Sequence, residues 1–229
     1  MKLIILIPAL NEEETIAKVI ESIPKHFAHI DKTEIIVVND GSTDKTAGIA
    51  AHHGAHVISH NENKGVGYAF QSGVSAAIEM QADILVTIDA DCQFDPQEIP
   101  KLIKPIVDNK ADLVTGSRFV DSSYIPKNMP YMKVWGNKRV ANIISLVTKK
   151  KFYDVSCGFR AYSKEALLRL NLFGQFTYTQ ETFLDLAYKG LTIKEVPVTV
   201  KYFDGRKSRV ASSLATYAFK AGNIIVRTV

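Results

Sequence analysis

The stretch Ile84-Leu85-Val86-Thr87-Ile88-Asp89-Ala90-Asp91-Cys92-Gln93-Phe94-Asp95-Pro96 constrains this chain more than any other. Its apolar, β-branched run reads as a buried strand. The run stops at two acids, Asp89 and Asp91. Residues two apart on a strand share a side, so both carboxylates face one space just past the strand's carboxyl end. In open α/β sheets that is where ligands bind. Carboxylates so close repel unless a cation sits between them, and hard oxygen ligands suit Mg²⁺ or Mn²⁺. Such an ion completes its shell with substrate phosphates, which points to a metal-bound diphosphate, most simply that of a nucleotide-sugar. A turn in which acids merely cap the next helix fits Asp95, because Asp before Pro96 is a helix start. It fits the Asp89/Asp91 pair poorly.

The 229 residues allow one domain, or one domain with an extension. A hydrophobic share of 46% and a charged share of 23% are ordinary for a globular protein. The net charge of +4 is compatible with phosphate ligands or an anionic membrane surface and does not call for nucleic acid. Two cysteines, Cys92 and Cys157, form neither a disulfide framework nor a zinc spacing, so a reducing, cytoplasmic setting is expected. The apolar start, Leu3 to Ile7, is too short for a signal peptide, and Pro8 with Asn11-Glu12-Glu13-Glu14 is no cleavage region. It reads as a first strand. No segment has the unbroken apolar length of a membrane span.

Strands and helices alternate through the first half, which predicts a largely parallel sheet. After the first strand, Asn11 is placed to cap a helix from Glu12 to about Ile23. Glu34 to Val38 is a second strand ending in Asn39-Asp40-Gly41-Ser42-Thr43-Asp44. There Asp40 is placed to accept from a base or ribose, and Asp44 to cap the following helix. A plain Asp-Gly turn is the rival reading. A short strand from Ala55 to Ser59 leads to Asn63-Lys64-Gly65-Val66-Gly67 and a helix to about Met80. Glycines and Lys64 at that helix start suit an anion. His52, His53, His56 and His60 read as surface or loop residues. Asp112 to Ser117 is a further strand ending at Arg118, for which a phosphate contact and an ion pair both stay open.

The pattern then changes. Val120 to Met132 is loop-like, and a helix follows in which Val140, Ile143, Ile144 and Val147 form a face read as core. Ser163 caps a helix, another opens at Thr177-Tyr178-Thr179-Gln180-Glu181 and stops at Gly190, and Ile193 to Val200 is an edge strand interrupted by Pro197. Arg206-Lys207-Ser208-Arg209 is a basic loop able to grip phosphate. Residues 1–210 are expected to form the domain and 211–229 a C-terminal amphipathic helical segment carrying Leu214, Tyr217, Ala218, Ala221 and Ile225 on one face.

These stretches, taken in order, resemble family 2 glycosyltransferases of the GT-A fold, and within them the dolichol-phosphate mannose synthase and polyprenyl-phosphate glycosyltransferase group. The resemblance rests on Ile7-Pro8-Ala9-Leu10-Asn11-Glu12, Val38 to Asp44, Asn63-Lys64-Gly65, Asp89-Ala90-Asp91-Cys92-Gln93, Gly116-Ser117-Arg118 and Cys157-Gly158-Phe159-Arg160-Ala161-Tyr162. It implies an α/β GT-A fold, with a mostly parallel central sheet, a Rossmann-like nucleotide half and an acceptor-side half. Pro8, Asn11, Glu12, Asp40, Lys64 and Gly65 would then hold the nucleotide. Asp89, Asp91 and Gln93 would hold Mg²⁺ or Mn²⁺ and the donor diphosphate. Arg118, Arg160, Arg206 and Arg209 would meet acceptor or diphosphate charge.

The implied reaction is inverting transfer of a hexose from a GDP- or UDP-linked sugar to a polyprenyl or dolichyl phosphate, at the cytoplasmic face of a membrane. Two features depart from the family's pattern. Cys92 stands where leucine is common and is expected to be a small apolar residue, and the basic loop matches only loosely. Glu181 lies where other members carry an acidic base, so a glycan-hydroxyl acceptor is the alternative; a helix-start acid is the plainer reading of that residue. A non-catalytic nucleotide-sugar-binding subunit is the alternative from another class. A peripheral enzyme, a soluble fragment and the partner of a separate membrane subunit are the open architectures.

Overall fold

The computed structural model describes residues 1–171 and 178–203. Arg206, Arg209 and the 211–229 segment lie outside the described residues. Seven strands form one sheet: β1 (Lys2–Ala9), β2 (Lys32–Asn39), β3 (His56–Ser59), β4 (Ile84–Thr87), β5 (Leu113–Ser117), β6 (Arg160–Ser163) and β7 (Ile193–Pro197). The helices are α1 (Ile16–Ser22), α2 (Thr46–His52), α3 (Val66–Glu79), α4 (Ile99–Val107), α5 (Tyr131–Thr148), α6 (Lys164–Arg169) and α7 (Thr179–Tyr188). The strand order is β3-β2-β1-β4-β6-β5-β7. All pairings are parallel except those of β6, which runs antiparallel to both β4 and β5.

Alternation along β1 shows why the sheet is covered on both faces. Leu3, Ile5 and Ile7 pack with Ile16, Val19 and Ile20 of α1 and Leu102, Ile103 and Ile106 of α4. Ile4 and Leu6 face the other way, onto Phe70, Val74 and Ala77 of α3 and Leu167 of α6. Burying each such Leu or Ile is worth roughly 1.5–3 kcal/mol over leaving it exposed. Helix α3 approaches β1 closely at Gly73, where a Cβ would overlap the Leu6 side chain. Pro8 lies beyond Leu6, the last β1 residue paired with β4, so its missing N–H falls where β1 has lost a neighbour.

Several local expectations hold. The Asp95 carboxylate accepts from Gln97 N at 2.9 Å, just ahead of a 3₁₀ turn (Pro96–Glu98) that leads into α4. Ser163 Oγ accepts from Ala166 N at the start of α6, and Gly190 takes a φ of 79° after α7. Pro197 ends β7, which is an edge strand.

Three expectations are corrected. Asn11 does not cap α1: it has φ 48°, and its Oδ1 accepts from Thr43 N at 2.8 Å. The helix starts at Ile16 instead, after a turn in which the Glu12 carbonyl accepts from Thr15 N and Ile16 N and its carboxylate accepts from Thr15 Oγ1 at 2.7 Å. Strand β6 is absent from the sequence reading, since four residues opened by an arginine give no periodic signal. Its partners Val86 and Val114, both opposite Ala161, place it in the sheet. Ile143, expected in the core face of α5, points outward; Val140, Ala141, Ile144 and Val147 pack inward with Phe183 and Leu184 of α7.

Candidate active site

The carboxyl ends of β1, β2, β4 and β5 open on one edge, which gathers Asn11, Asp40, Asp89 and Arg118 along a single rim. The first two loops are tied together. Asn11 N donates to Ser42 Oγ at 2.9 Å, Glu12 N to Thr46 Oγ1 at 2.8 Å and Glu13 N to Asp44 Oδ2 at 3.1 Å. Asp44 also accepts from Thr46 N at 2.9 Å, as expected of a residue just ahead of α2. Glu12 is buried and Asn11 exposed. These bonds join the loop after β1 to the loop after β2.

Asp40 is more committed than the sequence suggests. Its Oδ1 accepts from Lys64 N at 3.0 Å and its Oδ2 from Gly65 N at 2.8 Å, while His60 Nδ1 lies 2.6 Å from Oδ1. His60 Nε2 reaches Ser72 Oγ at 2.9 Å. In addition to any contact with a base or ribose, Asp40 shapes the Asn63–Gly65 loop, and Gly65 (φ 96°) starts α3. His60, read as a loop histidine, is the bridge between Asp40 and α3, and no spacing signal in the sequence marks it. Lys64 stays exposed, its ammonium 5.8 Å from the Tyr68 ring. Gly41 (φ 75°) lies under this loop, where a Cβ would overlap the Glu62 and Asn63 backbone.

Asp89 and Asp91 stand at the end of β4, both half-buried and so reachable from outside. Thr87 Oγ1 donates to Gly158 O at 2.6 Å, and the Tyr178 hydroxyl donates to the same oxygen at 3.2 Å. A Cβ on Gly158 would come within 3.3 Å of both Asp89 oxygens, so the glycine leaves that carboxylate its space. Burial, and then the Asp89 carboxylate, push the Tyr178 phenol well above its ordinary range, which keeps it a protonated donor at neutral pH. Asp91 Oδ1 accepts from Gln93 N at 3.0 Å and Cys92 takes φ 59°, a tight turn that brings the Gln93 backbone N–H onto the Asp91 carboxylate.

This donor set suits a divalent cation. No group of three or more His, Cys, Asp or Glu side chains able to hold a metal is found among the described residues. Asp89 and Asp91, with Gln93 next along the turn, supply oxygen-bearing side chains here, and hard oxygen ligands suit a divalent ion that keeps positions for other ligands.

The arginines behave differently from expectation. Arg118 forms a bidentate pair with Asp154, Nε–Oδ2 at 2.7 Å and Nη2–Oδ1 at 2.8 Å, and its Nη1 donates to the Tyr202 hydroxyl at 3.0 Å. Both partners are buried. Burial alone would raise the Asp154 carboxyl, but the Arg118 guanidinium outweighs it and holds Asp154 below the usual carboxylate range. Arg118 is thus the inner half of an ion pair and not an open phosphate ligand. Asp154 is the residue the sequence reading missed, and a partner 36 positions away leaves no local mark.

Arg160 is fully buried. It donates to Cys157 O, Thr179 O, Thr182 Oγ1 and Val155 O, and its guanidinium carbon lies 4.7 Å from the Phe183 ring centroid. The expected phosphate contact for Arg160 is corrected: this side chain ties β6 to the start of α7. Glu181 is buried in the first turn of α7.

The two cysteines differ. Cys157 is buried, which pushes its thiol up to about 12, whereas Cys92 is half-buried beside α1. Mild iodoacetamide treatment followed by mass spectrometry of peptides is expected to modify Cys92 and leave Cys157 untouched until the protein unfolds. Equal labelling of both in the native protein would contradict this placement.

Comparison with known proteins identifies the family. The profile of glycosyl transferase family 2 matches residues 4–170. The chain is 35% identical over 225 residues to the UDP-N-acetylglucosamine–dolichyl-phosphate N-acetylglucosaminyltransferase of Methanococcus voltae, covering 90% of this chain and 88% of that one. It is 28% identical to the polyprenol monophosphomannose synthase of Mycolicibacterium smegmatis, over 86% and 76% of the two chains. Among solved structures, glucosyl-3-phosphoglycerate synthase of Mycobacterium tuberculosis, crystallised with Mn²⁺, UDP-glucose and phosphoglyceric acid, superposes with a TM-score of 0.71. That match has 25% identity and covers 96% of this chain and 80% of the other. The chain belongs to glycosyl transferase family 2, and it is a glycosyltransferase of the GT-A fold.

Proposed function

We propose that the enzyme transfers a hexose, with inversion, from a UDP-linked sugar to a polyprenyl or dolichyl phosphate. The observation that carries this reading is the turn holding Asp89, Asp91 and Gln93 at the end of β4, next to the interlocked loops of β1 and β2. UDP is favoured over GDP because UDP stands in the name of the Methanococcus relative and in the synthase complexes. The lipid-phosphate acceptor is favoured by the names of the two sequence relatives.

Asp89, Asp91 and Gln93 would hold Mg²⁺ or Mn²⁺, which supplies positive charge at the diphosphate as it leaves. Glu12 and Asp40 keep the nucleotide corner rigid, and Gly158 gives Asp89 room. The acceptor approaches from the side of β5 and α7. A phosphate monoester has its second pKa near ~6, so it is largely dianionic at neutral pH and attacks without a strong base. A hydroxyl acceptor needs one, and Glu181 is the residue placed for it by sequence. This second reading is favoured by the synthase crystallised with phosphoglyceric acid.

Glu181→Gln separates the two. With UDP-hexose, Mn²⁺ and short-chain polyprenyl phosphate, the variant is expected to retain turnover within about threefold of the parent enzyme. A loss of a hundredfold or more with donor binding intact would favour the hydroxyl acceptor.

A further inference from the structure

Helix α5 has a face that nothing among the described residues covers. Its inward side packs Ala141 and Ile144 against α7. The opposite side carries Tyr131 at 77% exposure, Trp135 at 45% and Leu146 at 80%, with Met132 and Ile143 also exposed. At 3.6 residues per turn these positions fall on one stripe along the helix. Exposed Lys138 and Arg139 are interleaved on the same stripe, exposed Lys149 follows at the end of the helix, and the Arg139 guanidinium sits 5.1 Å from the Trp135 ring centroid. Between Asp121 and Asp154 the chain has seven lysines and arginines and not one Asp or Glu.

The aromatic, aliphatic and cationic composition decides what covers this face. A partner protein or a second copy would bring its own carboxylates to the cations or leave them unpaired. An anionic bilayer satisfies both halves at once: rings and aliphatic chains enter the boundary between headgroups and acyl chains, and cations meet lipid phosphates. The helix also borders the candidate site. Lys133 in its first turn lies 5.6 Å from the Tyr202 ring, whose hydroxyl accepts from Arg118 of the buried pair.

We propose that α5 lies in the plane of an anionic membrane surface, with Tyr131, Trp135 and Leu146 inserted at the interface and Lys138, Arg139 and Lys149 on lipid phosphates. The proposal extends the lipid-phosphate acceptor reading: docking on α5 brings the rim at Arg118 and Tyr202 to the headgroup level, where such an acceptor presents its phosphate.

Trp135 is the single tryptophan of the chain, so its fluorescence reports this helix alone. The full-length protein is titrated with vesicles of phosphatidylcholine containing phosphatidylglycerol and no polyprenyl phosphate. The expected result is a blue shift of the Trp135 emission, quenching by brominated acyl chains, and loss of both in pure phosphatidylcholine. Arg139→Glu combined with Leu146→Glu is expected to weaken binding at least about tenfold while leaving the melting temperature unchanged.

Co-sedimentation with vesicles without any change in Trp135 emission would overturn the proposal, because another segment would then do the docking. A blue shift that depends on protein concentration and not on vesicles would overturn it in favour of a second copy. Docking without transfer to short-chain polyprenyl phosphate would leave α5 as a membrane contact and remove the acceptor reading. Transfer to that acceptor without docking would do the reverse.

Discussion

Asp91→Asn is expected to lower metal-dependent sugar transfer by at least about a hundredfold, close to 2.7 kcal/mol of transition-state stabilisation. The substitution is nearly isosteric. An asparagine oxygen still accepts from Gln93 N, so the turn through Cys92 keeps its shape. What is lost is one of the two negative charges on which the proposed cation site at the end of β4 depends. The melting temperature should therefore change little while turnover collapses, and excess Mn²⁺ should recover only part of the loss. Assay of transfer against Mn²⁺ concentration, alongside a melting curve, checks both. Undiminished turnover would remove Asp91 from the metal site.

The second large effect is on stability. Removing either side chain of the Arg118–Asp154 pair strands a buried charge, which costs about 3–5 kcal/mol and lowers the melting temperature by about 6–20 °C. The reason is desolvation. Asp154 is fully buried, and although its oxygens also accept from the Arg118 and Ser156 backbone N–H groups, the only countercharge bonded to them among the described residues is the Arg118 guanidinium, with Nε and Nη2 aimed at them. The double substitution Arg118→Met with Asp154→Leu should be less damaging than either truncation alone, since neither charge then remains.

The pair also sets a pH dependence. The folded carboxyl of Asp154 lies below its unfolded value, so its contribution is fully present above about pH 4 and is lost as pH falls toward the folded value. Urea denaturation across that range should show an acid limb that flattens in Asp154→Asn. A single truncation that unfolds no more easily than the parent would contradict the buried pair.

Much of the frame around the candidate site could be read from the sequence where chemistry is local. The apolar run before Asp89, the Asp95-Pro96 helix start and the Gly190 stop each depend on neighbours within a few residues, and each stands where expected. The arginines could not be read that way. Arg118 and Arg160 both follow or open strands and both suggest phosphate by position. What each does is decided by Asp154, Thr179 and Thr182, which the fold brings from elsewhere. His60 is the same case in reverse: a scattered histidine becomes the clamp on Asp40 once β3 lies beside β2. Strand β6 was hidden because a four-residue segment between two strands owes its conformation to their ladders and not to its own propensity.

The most direct test of the metal and nucleotide site is a thermal shift with UDP and GDP, each with and without Mn²⁺, on the parent enzyme and on Asp91→Asn. A ligand that binds only the native state raises its stability by mass action, by about 2.7 kcal/mol at a hundredfold excess over Kd. The expected result is a rise with UDP that requires Mn²⁺ and disappears in Asp91→Asn. No rise with either nucleotide, or an equal rise in the variant, would contradict a donor diphosphate held through Asp89, Asp91 and Gln93.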